Sequence, residues 1–563
     1  MNETGGLFPF RLAWIIPVAA VVTLGLGVWA WTDQHQPLDE ALYRSVALFD
    51  IDGNAYSHGE ALQDWRFRVG RWTGAGVVLS SLLALAALLH EHLATGLARW
   101  TKQAVVVVGS APLALAAFEA ARRTGRSTLW LGAAGFGSAS FRDIALAWPQ
   151  RERARAVREH TRKADHVLVA DDDDAEALSL ARAAREAAPD AQITVLMRDM
   201  RLAEDAAATL NQPKTRVLST AAIAARALAA AHPPFLIAQQ RGHPRIHALM
   251  VGFGQTGQAI ARDLIINCRT TYLELPRITV IDPQAKALEG VLRVRAPELD
   301  QCADSLFIDG EIGGRAVRPN PAVIIRDLAA GGPLTVAYVC LGDDVGALSA
   351  AATLQSLLRA MDIDQPPIFV QLRKAQIVGD GGGQGLDALG AFGELDSVLE
   401  ASEFLSDAPD LAARAFCEAY RASLPAAERD DPDNRSAFAW DRLDETYRQA
   451  NRDAVAHIAA KLASAGVAAE RWRGVEGLPR LVETERLYHG HSDLELLSRL
   501  EHERWNAQRR MEGWRYIDAP QKDQLRRRHP SLRGYDALTE QVKEYDRVMV
   551  RQTQQAVRGE PDD

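Results

Sequence analysis

Two uncharged apolar runs near the N-terminus limit most strongly how this chain folds. Residues 13–31 read AWIIPVAAVVTLGLGVWAW and carry no charge. At about 1.5 Å of rise per residue, such a helix crosses nearly all of a hydrocarbon layer about 30 Å thick. Trp14 and Trp31 stand near its two ends, where an amphipathic indole prefers the lipid–water boundary. Pro17 falls early, where it disturbs a helix least. Residues 72–89, WTGAGVVLSSLLALAALL, form the second run, between Arg71 and His90-Glu91-His92. The leader has no positive charge ahead of Arg11, which argues against a cleaved signal peptide. We expect residues 1–101 to form a two-span region in the cell membrane.

The segment between the spans has its own pattern. Leu38, Ala41, Leu42, Val46 and Phe49 recur at near-helical spacing and lead into Asp50-Ile51-Asp52-Gly53-Asn54. A short amphipathic helix followed by a polar turn is the plan of a pore loop, here residues 38–54. In a symmetric assembly Asp50 or Asp52 would form a carboxylate ring favouring monovalent cations. An ordinary hairpin turning at Asp52-Gly53 is the other reading. The potassium filter sequence Thr-Val-Gly-Tyr-Gly is absent, so potassium selectivity does not follow. Arg44, Arg66, Arg68 and Arg71 lie in the same loop, so the positive-inside rule leaves orientation open. Orientation rests on the body that follows, which places both termini in the cytoplasm.

That body is long enough, in a chain of 563 residues, for about three or four domains in all. Hydrophobic residues make up 47%, ample for packed cores. The net charge is −9 with no basic stripe, which speaks against a nucleic-acid partner. Cys268, Cys302, Cys340 and Cys417 lack the close spacing of a zinc site and read as buried reduced thiols; no metal is expected.

Residues 102–235 and 245–400 share one layout. Each opens with a buried-strand run, a small-residue turn and a helix, and each has a later strand ending in acids: Asp171 to Asp174, and Asp343-Asp344. Alternating strands and helices of this length imply right-handed βαβ units and parallel sheets. The second copy has the fuller site. Gly252-Phe253-Gly254-Gln255-Thr256-Gly257 follows a strand and opens a helix. The first glycine permits the tight turn, the second lets a pyrophosphate reach the backbone, and the third allows close helix–strand packing. Asp282 ends the next strand about 25 residues on, where a carboxylate accepts ribose hydroxyls. The expected cofactor is NAD or another adenine nucleotide. In the first copy Gly109, Ala111 and Ala114 replace the three glycines, and no acid follows Leu131-Gly132. We expect that copy to be structural, with Asp171 to Asp174 capping a helix.

On Val251 to Gly257, Ile281-Asp282 and the strand-end acids, residues 102–400 resemble the regulator-of-potassium-conductance family of KTN/TrkA-N domains. The resemblance implies paired domains that bind NAD, ATP or related nucleotides and move a membrane pore.

Residues 401–435 read as a linker helix and loop, and residues 436–556 as a helical domain rich in aromatics. Trp440 to Glu445 with Ala450 to Leu462, Leu500-Glu-His-Glu-Arg-Trp-Asn506 with Gly513-Trp-Arg-Tyr516, and His529-Pro with Tyr535 to Leu538 and Lys543 to Asp546 resemble the ryanodine-receptor repeat. The resemblance implies a sensory or interaction module. As a candidate second ligand site, Trp505, Trp514 and Tyr516 would stack a base while Arg504 or Arg515 pairs a phosphate. The same aromatics would equally serve as the core of a small domain.

The expected fold class is α/β: two transmembrane helices, tandem Rossmann-like parallel-sheet domains and a helical C-terminal domain. The expected function is a nucleotide-regulated ion channel or channel regulator, assembled as a dimer or tetramer. A membrane-anchored nucleotide-sensing effector without a pore, or an NAD-dependent enzyme, are the alternatives. No acid–base or nucleophile set accompanies the glycine turn, so no catalytic residue is assigned.

Overall fold

A computed structural model of the chain describes residues 8–49, 64–100, 104–133, 137–140, 143–147, 152–210, 214–313, 316–373, 388–395, 398–399, 405, 408–468 and 486–558. The chain divides into two units, Met1–Thr101 and Lys102–Asp563. In the first, α1 (Phe8–Asp33) contains the first apolar run and α3 (Trp65–Trp100) contains the second. Between them α2 (Leu38–Val46) runs on into a 3-10 turn at Ala47–Phe49. Asp39 and Glu40 open α2 and Arg44 closes it, the charge order a helix dipole favours.

Small residues let this short helix press against both long ones. A Cβ on Gly27 would stand 2.6 Å from Ser45 Oγ, and one on Gly74 2.2 Å from the Leu48 carbonyl oxygen. Leu48 is thereby buried with Ala30 and Phe67. The Thr23 and Thr73 hydroxyls join α1 to α3 at 2.7 Å. The outer surface is apolar: Val18, Val21 and Val22 on α1, and Leu79, Leu82, Leu83 and Leu85 on α3, are exposed. A helical hairpin packed on glycines and aliphatic outside suits lipid or like neighbours. Asp50 and Asp52 lie outside the described residues.

Among the described residues, two helical stretches are long and apolar enough to cross a membrane, Ile16–Asp33 and Thr220–Gln240. Only 17% of the first is buried, but half of the second is. The second covers α8 (Thr220–Ala231) and α9 (Pro234–Gln240), whose Ala221, Ala225, Leu228, Phe235 and Leu236 belong to the core of the second unit. Its apolar character therefore reflects burial in protein.

The second unit contains two sheets of like order. The first copy comprises β1 (Val105–Val108), α4 (Leu113–Arg123), β2 (Thr128–Ala133), β3 (Gly137–Ser140), β4 (Asp143–Ala147), α5 (Arg153–Thr161), β5 (His166–Ala170), α6 (Asp174–Ala187), β6 (Gln192–Met197), α7 (Met200–Thr209) and β7 (Thr215–Ser219). Its strands lie in the order β3-β4-β2-β1-β5-β6-β7. All neighbours are parallel except β3, an antiparallel edge strand that the alternating pattern did not foretell. The second copy comprises β8 (His247–Val251), α10 (Gln255–Asn267), β9 (Arg277–Asp282), α11 (Ala285–Arg295), β10 (Asp304–Asp309), the small hairpin β11 (Glu311–Ile312) and β12 (Val317–Arg318), α12 (Pro321–Ala330), β13 (Val336–Val339), α13 (Asp344–Ala360), β14 (Ile368–Gln371) and β15 (Leu389–Phe392). Its parallel order is β10-β9-β8-β13-β14-β15. Leaving β3 aside, both sheets run 3-2-1-4-5-6, with the strand of the glycine turn beside the point where the order reverses.

The rest is helical: α14 (Ala408–Ser423), α15 (Ala426–Arg429), α16 (Glu445–Ala456), α17 (Ile458–Ser464), α18 (His491–Met511) and α19 (Glu540–Arg558), with a two-stranded pair β16 (Arg515–Tyr516) and β17 (Arg528–His529). These helices share an apolar core with the second sheet. Ile260 and Leu264 of α10 cluster with Ala454, Ile458, Leu497 and Leu500. Within that contact Arg262 of α10 donates to Asp453 of α16 at 2.9 Å, and Arg226 of α8 approaches the same carboxylate at 3.6 Å. Asp453 is fully buried. Burial alone would raise its pKa, but Arg262 and Arg226 hold it below the usual carboxylate range. The four cysteines are buried and free, and burial pushes the Cys340 and Cys417 thiols up to about 12.

Removing one member of a buried pair strands the other charge. Asp453→Ala is expected to destabilise the chain by about 3–5 kcal/mol. Glu186→Ala, which breaks the exposed pair with Arg158, should change stability by less than about 1 kcal/mol. Equilibrium denaturation followed by circular dichroism measures both.

Two buried histidines set an acid limit. His247 lies between the Gly332 carbonyl at 2.9 Å and the Thr279 hydroxyl at 3.0 Å, and His457 Nε2 is 2.9 Å from the Arg269 carbonyl. Burial pushes each down to about 4. Such a ring binds its proton less readily folded than unfolded, so stability is full above pH about 6.5 and falls as pH drops towards about 4. The melting temperature should decline across that window, with a shallower slope in His457→Gln.

Candidate functional site

The turn from β8 into α10 is built on backbone. Gly252 has φ +90°, and a Cβ there would lie 2.4 Å from the Cys340 carbonyl oxygen, at the end of the neighbouring β13. A Cβ on Gly257 would lie 2.7 Å from the Gly252 oxygen, so α10 can approach its own strand only with glycine there. Over Gly254 the space is open: a Cβ there would have nothing within 4 Å. Phe253 turns inward, buried edge-on against Phe307 at 5.3 Å between ring centres.

The N–H groups of Gln255, Thr256 and Gly257 begin α10 and have no acceptor one turn back. Among the described residues nothing accepts from them. With the helix dipole they make an anion seat beside the open position at Gly254. Asp282 ends β9 next to it. One of its oxygens accepts from Phe253 N–H at 2.8 Å and the other from Gln284 N–H at 2.8 Å. Each oxygen keeps a second acceptor direction for a ligand hydroxyl.

The first copy contributes to this mouth. Gln255 Oε1 accepts from Met200 N–H at 3.0 Å, and its Nε2 donates to Asp199 at 3.0 Å. Arg201 donates to Gln258 Oε1 at 2.8 Å, and Gln258 donates to the Phe253 carbonyl at 3.0 Å. The sequence singled out Gln255 as part of a glycine motif; this clasp, formed by residues more than fifty positions away, gave no local signal. Thr256 is buried in the first turn.

The corresponding turn of the first copy is closed by its own acid. Asp171 is buried and accepts from both the N–H and the hydroxyl of Ser110, each at 2.9 Å. Trp130 Nε1 donates to the Gly109 carbonyl at 3.0 Å. A carboxylate therefore occupies the mouth of that turn, and a phosphate would meet a like charge. Asp173 caps α6, accepting from Ala175 and Glu176 N–H, whereas Asp174 accepts from Arg198 and Asp199 N–H in the next loop.

In the C-terminal domain the residues named as a second site separate. Arg504 is buried and donates to Glu501 at 2.8 and 3.0 Å and to Gln508 at 2.8 Å. Lys461, fully buried, lies 2.7 Å from the same Glu501. The Arg504 charge is thus spent inside the domain. Trp505 and Trp514 both meet His529 edge-on, at 5.0 and 6.1 Å between ring centres. Tyr516 pairs in register with His529 across β16 and β17 and is exposed. The cation beside these rings is Arg509, one turn after Trp505, with its guanidinium 5.9 Å from Trp505 and 5.7 Å from Trp514. Helical spacing from Trp505 was the signal that would have found it.

Residues 489–558 match the RyR domain family, within and just beyond the segment assigned from sequence to residues 436–556. No curated protein sequence matches the chain. Among solved structures, one described as the GsuK channel bound to NAD is 11% identical, covers 72% of this chain and 86% of its own, and has a TM-score of 0.35. A second, GsuK bound to ADP, is 12% identical over 71% of this chain and 96% of its own, with a TM-score of 0.33. A dipicolinate synthase from Bacillus halodurans is 10% identical, covers 54% of this chain and 97% of its own, and has a TM-score of 0.20. The chain thus carries a RyR domain at its C-terminal end, behind two Rossmann-like sheets.

Proposed function

We propose that the chain is an oligomeric membrane protein, a dimer or tetramer, that conducts cations or governs their conduction under control of NAD or another adenine nucleotide. The observation that carries this reading is the double engagement of α10. Its N-terminal N–H groups face the open position at Gly254, while Arg262 in its middle is locked to Asp453 of the C-terminal domain. A ligand seated on that tip therefore acts on an element that two further domains hold.

The pyrophosphate would lie over Gly254 against the amides of Gln255, Thr256 and Gly257, with a ribose at Asp282. The apolar outer faces of α1 and α3 support two spans in the cell membrane, with both termini cytoplasmic. Asp50 and Asp52, which follow α2 in the sequence, supply the carboxylates that would favour cations. In the sequence four residues separate Trp100, the end of α3, from Val105, the start of β1. The ligand regulates; no catalytic role is assigned to the chain.

Planar-bilayer recording tests this reading. Current through the purified protein is expected to change with added NAD or ADP. In Gly254→Asp the added carboxylate repels the phosphates and fills the open position, so the response should need about tenfold more nucleotide or vanish. Absence of current at every nucleotide concentration would leave a membrane-anchored effector without a pore. Current that ignores nucleotide would reject regulation altogether.

A further inference from the structure

The seat over Gly254 depends on the setting of one peptide plane, between Phe253 and Gly254. Glycine backbone is permissive, so Gly254 does little by itself to stop that plane from turning. The bond is trans, so the Phe253 carbonyl and the Gly254 N–H point in opposite directions. Whatever holds the carbonyl therefore aims the N–H. Gln258, in the first turn of α10, holds it: its Nε2 donates to the Phe253 carbonyl at 3.0 Å. Among the described residues nothing accepts from the Gly254 N–H, which stays available to a ligand.

Gln258 can do this in only one orientation. A carbonyl accepts, so the amide must turn its NH2 group towards Phe253 and its Oε1 the other way. Gln258 is half-buried, and an oxygen left there without a donor would favour turning the amide over and releasing the carbonyl. Arg201 of α7 supplies the donor, from Nη2 to Oε1 at 2.8 Å. A guanidinium only donates, so it accepts no other orientation of the amide. Among the described residues Gln258 is the one acceptor that Arg201 has, and its Nε is buried without one. Asp199 and Glu204 act on its charge only from a distance. The relay is separate from the clasp at Gln255, which Asp199 and Met200 make.

We propose that Arg201 is a positioning residue for the nucleotide. The first sheet copy, itself closed to phosphate, sets the affinity of the second by locking Gln258 and, through it, the Gly254 N–H that meets the pyrophosphate. This rests on the glycine turn being the nucleotide's seat. A cation acting by charge alone would need no Gln258; the relay does.

Titration calorimetry of the full chain in detergent, with ADP as the probe, tests it. Arg201→Leu is expected to weaken ADP by about tenfold, the loss of one hydrogen bond that orders the turn. Gln258→Leu should weaken it as much, and it leaves the first copy untouched should Arg201→Leu lower the melting temperature. The double variant should be no weaker than Gln258→Leu alone, because the two act as one unit. Arg201→Lys, which keeps a donor and the charge, should retain most of the affinity. Parent affinity in Arg201→Leu, or losses that multiply to about a hundredfold in the double variant, overturns the relay. ADP binding that Gly254→Asp abolishes but Arg201→Leu leaves unchanged rejects this inference alone. ADP binding that Gly254→Asp leaves unchanged rejects the glycine-turn seat, and the relay with it.

Discussion

One buried carboxylate ties the cytoplasmic domains together. Asp453 of α16 receives Arg262 from the second sheet domain, Arg226 from the first, and Gln449 from its own helix at 2.8 Å. A charge removed from water is tolerable only while its partners stay in place, because the low-dielectric surroundings that strengthen the pair also penalise its separation. The three domains are therefore held in a definite relation around α10. Apolar packing of Ile260 and Leu264 against α16 to α18 supplies adhesion; the ion pair supplies register.

The same fold occurs twice and treats its first turn in opposite ways. Both turns use a glycine with positive φ at the end of the first strand, since a side chain at Gly109 or Gly252 would strike the carbonyl of the fourth strand. Beyond that point they diverge. At Ser110 the neighbouring strand sends in the carboxylate of Asp171, which satisfies the turn from within. At Gly254 the neighbouring strand ends in Cys340-Leu341-Gly342, and the acid comes instead from β9 as Asp282, beside the helix tip and not across it. The copy that is closed is also the one whose next loop, Asp199 to Arg201, grips the open copy at Gln255 and Gln258. A degenerate domain thus becomes a wall of its sibling's site.

What was legible in the sequence was whatever local spacing controls. Gly252, Gly254 and Gly257 fix a backbone path within six residues, and the strand runs around them are uniformly apolar, so the turn and the two-fold repetition could be read directly. The short helix over residues 38–49 was legible for the same reason. Partners distant in sequence were not. Arg504 looked free for a ligand because its partner choice depends on where Glu501 and Lys461 are buried together. The antiparallel β3 depends on an edge that no alternating pattern reports. Apolar composition also misleads where burial is in protein: α8 and α9 are as suited to lipid as α1 until their neighbours are seen.

These constraints decide what a ligand at α10 would have to do. A nucleotide that fits the tip equally in two arrangements of the module shifts neither, however tightly it binds. Differential affinity needs a group whose position changes with the arrangement. The amides of α10 move as one with their helix and offer none. The clasp from the first copy does: Asp199, bonded to Gln255, sets a carboxylate close to the phosphate seat while the two copies are joined. Phosphate entering there is favoured when that carboxylate withdraws, which breaks the Gln255 clasp. In the proposed reading, the clasp between the two sheet copies is thus the contact that nucleotide biases, while the buried Asp453 keeps α8, α10 and α16 together.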